Sequence, residues 1–131
     1  MDDSTILWDF YPGAYGPSIL VELPDLAAVA LLRRILVRVA ATGSPIDLNN
    51  EPRMRLKNIA NLKLVLATQP SRKTLSSTGD PLFVWSCTAE QWRAHAALLD
   101  PFLDGHVGHQ YLSAEGVDDA LIEVSFGEHH P

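Results

Sequence analysis

The pattern of apolar and polar positions divides the chain into short strands and two helices. Residues 6–11 alternate loosely and residues 18–23 are apolar and β-branched, so both segments predict strands. The proline- and glycine-rich stretch 12–17 between them predicts a turn, which makes the pair a hairpin. Residues 26–39 carry apolar side chains at helical spacing and predict a helix.

Both predicted helices carry signals at their ends. Asp25 is the predicted N-cap of the first helix, because its carboxylate can accept the free amides of the first turn. Gly43 is predicted to end that helix in the left-handed conformation. The stretch 88–91 fits a capping box, so a second helix should start directly after a strand at 82–86. Pro101 is expected to kink or end it.

The rest of the chain predicts further strands and one long loop. Strands are predicted at residues 53–57, 62–68, 110–113 and 120–126. Residues 69–81 are polar and predict a loop that is either mobile or used for binding. We find no internal sequence repeat. The order of elements favours an α+β domain with one antiparallel or mixed sheet of five to seven strands and two helices packed on one face.

Length and composition limit the class of protein. The 131 residues are 47% hydrophobic and 20% charged, which predicts a single folded domain spanning 1–131 and excludes disorder. The single cysteine, Cys87, excludes a disulfide framework. Residues 1–5 are acidic and do not resemble a secretory signal, and arginines interrupt the most apolar stretch. We therefore expect a cytoplasmic protein without a membrane segment.

The charges are unevenly distributed along the chain. Its formal net charge is −6, yet residues 33–73 hold nine of the ten basic residues and only two of the sixteen acidic ones. Two interpretations stay open. Either the acidic remainder forms a surface that steers a basic partner, or the two sets mingle in space and cancel.

An aromatic cluster around the first turn is one candidate interaction site. Alternation places Trp8 and Phe10 on one face of the first strand and Tyr11 on the other. Tyr11 and Tyr15 are then expected to be exposed, and tyrosine is enriched where proteins bind one another. The alternative is ordinary core packing with one tyrosine in a loop.

Acidic residues near the end of the chain are the second candidate set. Asp118, Asp119, Glu123 and Glu128 are predicted to bind a basic partner by charge. Glu123 should point to the solvent side of the last strand, opposite to its apolar neighbours. The simpler alternative is that these charges only discourage pairing of sheet edges.

A small enzyme or ligand-binding domain is the alternative function, with a site near Cys87, His106 and His109. A thiol before a helix ionises more easily, because the helix N-terminus stabilises negative charge. His95 lies about 12 Å away by helix rise, which is too far for a nucleophile–base pair. One His-x-x-His spacing, at residues 106–109, is weak evidence for zinc. We predict no catalytic residue, no metal and no cofactor.

A basic strand gives a third possibility, nucleic-acid binding. Arg53, Arg55 and Lys57 would project from one side of a strand and could meet phosphates. No aromatic residue interleaves with them for base stacking, and the chain is acidic overall. Nucleic acid is therefore disfavoured as a partner.

The last fifty residues resemble small bacterial immunity proteins of toxin–immunity pairs. The resemblance rests on the segment 108–112, the segment 122–128, and Trp85 and Trp92 on either side of Cys87. It implies a non-enzymatic protein that binds and neutralises a cognate toxin, and it assigns no role to any single residue. Together with the charge, it favours a protein-binding module whose partner is a basic toxin domain. The sequence does not indicate an oligomeric state.

Overall fold

Two mixed β-sheets and two helices build the fold, in a computed structural model that describes residues 5–13, 16–79, 82–112 and 118–127. The elements in chain order are β1 (Ile6–Gly13), β2 (Gly16–Leu23), α1 (Leu26–Thr42), β3 (Ile46–Asp47), β4 (Met54–Lys57), β5 (Asn61–Leu66), β6 (Leu75–Gly79), β7 (Leu82–Cys87), α2 (Ala89–Ala97), β8 (Gly108–Tyr111) and β9 (Leu121–Phe126). Single helical turns lie at Leu48–Asn50 and Asp100–Leu103. The α+β class is confirmed.

The prediction of a single sheet of five to seven strands is wrong. The described strands form a five-stranded sheet, in the order β4-β1-β2-β9-β8, and a four-stranded sheet, in the order β3-β5-β7-β6. Helix α1 packs against α2 and contacts β2 of one sheet and β5 of the other. Hydrophobic periodicity marks where strands lie, but it does not determine which strands pair.

The two halves of the chain share one pairing pattern. In the first sheet, β1 is antiparallel to β2, β2 is parallel to β9, and β9 is antiparallel to β8. In the second sheet, β6 is antiparallel to β7, β7 is parallel to β5, and β5 is antiparallel to β3. Each half supplies a hairpin, then a helix, then two strands that join the other half's hairpin; the first half also supplies β4, which pairs with β1 of its own hairpin. The repeat is topological, which explains why no sequence repeat is detectable.

The predicted helix ends are confirmed. The Asp25 carboxylate accepts the Ala28 amide at 2.9 Å, and Gly43 has a φ of 70°. Thr88 and Gln91 form both bonds of the capping box. Helix α2 ends at Ala97, before the turn that contains Pro101.

The core is one cluster that joins both sheets to the helices. Phe10 of β1 meets Phe83 of β7 edge-to-face, with ring centroids 5.0 Å apart. Trp8, Trp85 and Trp92 are fully buried in the same cluster. As alternation predicts, Trp8 and Phe10 face the core and Tyr11 does not.

The long polar loop predicted at 69–81 is wrong in part, because β6 lies within it. This strand pairs with β7, Leu75 opposite Trp85 and Ser77 opposite Phe83. Leu75 is its buried apolar residue, and its other side chains are small and polar. Pairing with β7 therefore makes this segment a strand, although its local composition indicates a loop.

Candidate functional site

One side of the five-stranded sheet faces away from the core, and we call it the open face. The strand register aligns the side chains of paired residues on neighbouring strands in rows across the open face. The first row runs Arg55, Leu7, Glu22, Ser125, His109; the second runs Lys57, Asp9, Leu20, Glu123, Tyr111; the third runs Tyr11, Ser18, Leu121. Two sequence-predicted residues, Tyr11 and Glu123, thus lie on one surface.

The open face combines apolar and charged groups. Leu7, Leu20 and Leu121 are half-buried, and none of them belongs to the core or packs against it. Tyr111 is 45% exposed at the β8 edge of the face. At one end, a pocket of about 360 Å³ is lined by Leu7, Glu22 and neighbouring residues. Tyrosine is enriched at protein-binding surfaces.

Charge on the open face is graded from one edge to the other. Asp9, Glu22 and Glu123 lie on the three central strands, whereas Arg55 and Lys57 lie on the β4 edge. Among the described residues, no ion pair involves any of the three central carboxylates. The centre of the face is therefore negative and can attract a cationic surface.

The acidic residues do not all gather on this face, because several pair with the basic segment. Arg33 binds Asp100 with 2.8 Å between Nε and Oδ1, and Lys73 binds Asp119 with 2.7 Å between Nζ and Oδ1. Both pairs join the basic middle of the sequence to its acidic remainder. The separation of charge along the sequence is thus partly cancelled in space.

Asp118 and Asp119 bind within the chain, along the outer edge of β6. The Asp118 carboxylate accepts the amides of Thr74 and Leu75 at 2.6 and 2.9 Å, and the Thr74 hydroxyl at 3.2 Å. Asp119 accepts the Ser77 amide at 2.7 Å, and its own amide donates to the Leu75 carbonyl. The Lys73 ammonium lowers the pKa of Asp119, helped by the Ser77 amide. These two residues close a sheet edge, and their role in partner binding stays a prediction.

Cys87 and His95 lie side by side, so the expected separation of about 12 Å by helix rise is wrong. Sγ of Cys87 is 3.8 Å from Nε2 of His95. Cys87 belongs to β7 and precedes the N-cap, and helical side chains lean toward the N-terminus of their helix. His95 therefore reaches back to the strand end. A distance calculated from helix rise alone leaves out this direction of the side chain.

The environment of Cys87 keeps the thiol protonated. Burial, the largest cause, and the nearby Asp118 charge together raise its pKa from 9.0 to about 12, although the Thr74 hydroxyl and the Trp85 indole oppose the rise. The Trp85 N–H has no partner in hydrogen-bonding geometry within the described part of the chain. Burial also lowers the pKa of His95, against the effect of Asp118. A neutral thiol beside a neutral imidazole is a poor nucleophile, because the thiolate is the reactive form.

An open pocket of about 310 Å³ lies outside this pair. His95, Thr74, Gln91, Tyr111 and Asp118 contribute to its lining. Cys87 is fully buried beneath it. The pocket can admit small polar molecules, but the thiol is not in contact with solvent.

The other histidines of the predicted site lie elsewhere in the fold. His106 is exposed after the second helical turn, and the His109 ring contacts Tyr111 with centroids 5.4 Å apart. Within the residues that the structure describes, no group of three metal-binding side chains is assembled. Tyr15 and Glu128 lie outside the described residues, so the structure says nothing of them.

Comparison with known proteins gives no relative. No family model, no curated protein and no solved structure matches this chain. None of the described helices has the length and hydrophobicity that crossing a membrane requires.

Proposed function

We propose that this chain is a non-enzymatic protein-binding module that docks a basic partner on its open face. The single observation that carries the proposal is the row arrangement of Asp9, Glu22 and Glu123 among Leu7, Leu20 and Leu121, outside the core. Central apolar contacts supply binding energy, and carboxylates that form no ion pair with a described residue favour a cationic partner.

The open face alone is smaller than a standard protein–protein interface. Five strands about 4.8 Å apart, with central strands of six residues or more, give about 20 by 20 Å, or roughly 400 Å² of flat area. A stable complex buries about 800 Å² on each partner. The open face supplies about half of that, so the partner also has to contact residues around it.

The state of Cys87 favours binding over thiol catalysis. A pKa of about 12 leaves almost no thiolate at neutral pH, and the sulfur is fully buried. An enzyme that used it would need the site to open and the thiol to ionise. The open face needs neither change to bind a partner.

The specific function that we propose is that of an immunity protein, which occludes a basic toxin domain. The experiment expresses the products of the adjacent genes one at a time in a host. Any product that arrests growth is then co-expressed with this chain. Restored growth together with co-elution of the two proteins is the expected result. If no adjacent product is toxic, or a toxic one is neither neutralised nor bound, the immunity function is wrong.

A pair of matched variants tests the surface in the same assay. Glu22→Lys/Glu123→Lys reverses two charges of the open face, and Glu90→Lys/Asp104→Lys reverses two exposed charges elsewhere. We expect only the first variant to lose neutralisation. Equal neutralisation by both variants contradicts the assignment of the open face.

A further inference from the structure

The β4 edge of the five-stranded sheet has outward backbone groups that can pair with another strand. The Ile6 amide donates to the Arg53 carbonyl at 2.8 Å, and Ile6 lies opposite Met54 in the parallel register. In a parallel pair, this places the backbone groups of Arg55 and Lys57 toward β1. The amides and carbonyls of Met54 and Leu56 then point away from the sheet. Outside the sheet, no backbone hydrogen bond joins these two residues to a described residue.

The outer edges of β6 and β4 differ in whether other parts of the chain form hydrogen bonds with their backbone groups. The outer edge of β6 is closed, because the Asp118 and Asp119 carboxylates accept its amides and the Asp119 amide donates to the Leu75 carbonyl. The described chain provides no such closure at β4. An open edge strand is a template for strand addition. The short length of β4 and its exposed Arg55 and Lys57 side chains limit addition to a short strand of complementary charge.

The length and charge of β4 define what it can accept. Residues with positive φ lie on either side of the strand, Arg53 at 67° and Asn58 at 63°, so the pairing edge is limited to Met54–Lys57. Positive φ is uncommon for a residue other than glycine and is often found at functional sites. Arg55 and Lys57 are exposed on the same side, and no ion pair among the described residues involves them. These charges discourage basic strands, which makes the edge selective.

We propose that the β4 edge binds an extended acidic segment of a partner protein, which adds to the sheet as a further strand. Side chains alternate along a strand, so carboxylates two residues apart fall beside Arg55 and Lys57. Backbone groups of the segment pair with those of Met54 and Leu56. This inference does not depend on the open face binding a basic partner, and it is tested with a different probe.

The probe is a labelled nine-residue peptide of alternating valine and glutamate with blocked ends. Two further copies carry backbone N-methyl groups, one on the valines and the other on the glutamates. Alternate amides of an added strand point in opposite directions, so methylation of one set removes its pairing donors and methylation of the other set does not. We expect fluorescence anisotropy to show at least tenfold weaker binding for one methylated copy than for the other. Equal binding of the two copies overturns strand addition.

Matched protein variants locate the binding site. Arg55→Glu/Lys57→Glu should weaken binding of the unmethylated peptide at least tenfold, and Arg34→Glu/Arg93→Glu, also at exposed positions, should not. Circular dichroism checks that both variants are folded. The NMR amide shifts that change on binding should centre on Met54 and Leu56. No binding by the wild-type protein at millimolar peptide and low salt, or an equal loss in both variants, overturns the proposal.

Discussion

Asp118 is predicted to stabilise the fold more than any other surface carboxylate, and replacing it with alanine tests this. The carboxylate accepts two backbone amides and one hydroxyl from the start of β6. Its neighbour Asp119 accepts one amide and pairs with an exposed lysine. Asp118→Ala and Asp119→Ala therefore remove unequal sets of bonds from the same sheet edge.

The expected loss follows from the bonds that are broken. A hydrogen bond to a charged group contributes about 1.5–3 kcal/mol, and a buried donor left without a partner costs about 1–3 kcal/mol. Leu75 is fully buried, whereas the Thr74 amide lies near the open pocket, where water can replace the carboxylate. We expect Asp118→Ala to lower the free energy of unfolding by about 3 kcal/mol. Asp119→Ala should lower it by about 1 kcal/mol, because exposed ion pairs contribute little.

Urea unfolding followed by tryptophan fluorescence measures the difference. With an m-value of about 2 kcal/mol/M, the Asp118→Ala midpoint should fall by about 1.5 M relative to wild type. Asp104→Ala serves as the control, since this exposed residue has no side-chain hydrogen bond or ion pair among the described residues. An Asp118→Ala midpoint equal to that of the control would refute the assignment of Asp118 to the β6 edge.

Four further predictions concern the thiol pocket and the end of α1. A thiol reagent at pH 8 should label Cys87 only in urea, because the sulfur is fully buried; fast labelling of the native protein would contradict this. Because the pKa of His95 is lowered in the fold, the free energy of unfolding should fall as pH drops below about 6.5. In His95→Gln, the urea midpoint should decrease less over this acidic pH range. Because the pKa of Cys87 is raised from 9.0 to about 12, stability should fall by about 1.4 kcal/mol per pH unit above pH 9, and Cys87→Ala should abolish this alkaline limb. Gly43→Ala should cost about 1 kcal/mol in urea unfolding, because φ is 70° and a Cβ would lie 3.2 Å from Leu66; an unchanged midpoint would show that this helix end is not strained.

Local features of the fold could be predicted from the sequence. Asp25, Gly43 and the capping box at Thr88 each act on residues within one helical turn, so their signals are complete in a short stretch of chain. The face of Tyr11 follows from alternation along a single strand. In each case the interacting residues lie close together in the sequence, so a short sequence pattern contains the whole interaction.

Features that depend on distant pairing could not be predicted. The outer edge of β6 is closed by Asp118, which is more than forty residues away in the sequence. The role of Asp118 in closing this edge could not be predicted for the same reason, and its partners are backbone amides, which no sequence pattern identifies. The contact between Cys87 and His95 was missed for a different reason. The distance calculated from helix rise ignored that the His95 side chain leans toward the N-terminus of α2 and so reaches the Cys87 sulfur.

Methyl cross-saturation NMR on the complex with a neutralised toxin tests the central claim most directly. Irradiation of the unlabelled partner reduces the signals of methyl groups that it contacts in the labelled protein. The account predicts loss of signal at Leu7, Leu20 and Leu121 on the open face, with Leu98 and Leu103, exposed elsewhere, unchanged. Loss confined to Leu98 and Leu103, with the open-face leucines unaffected, would contradict it.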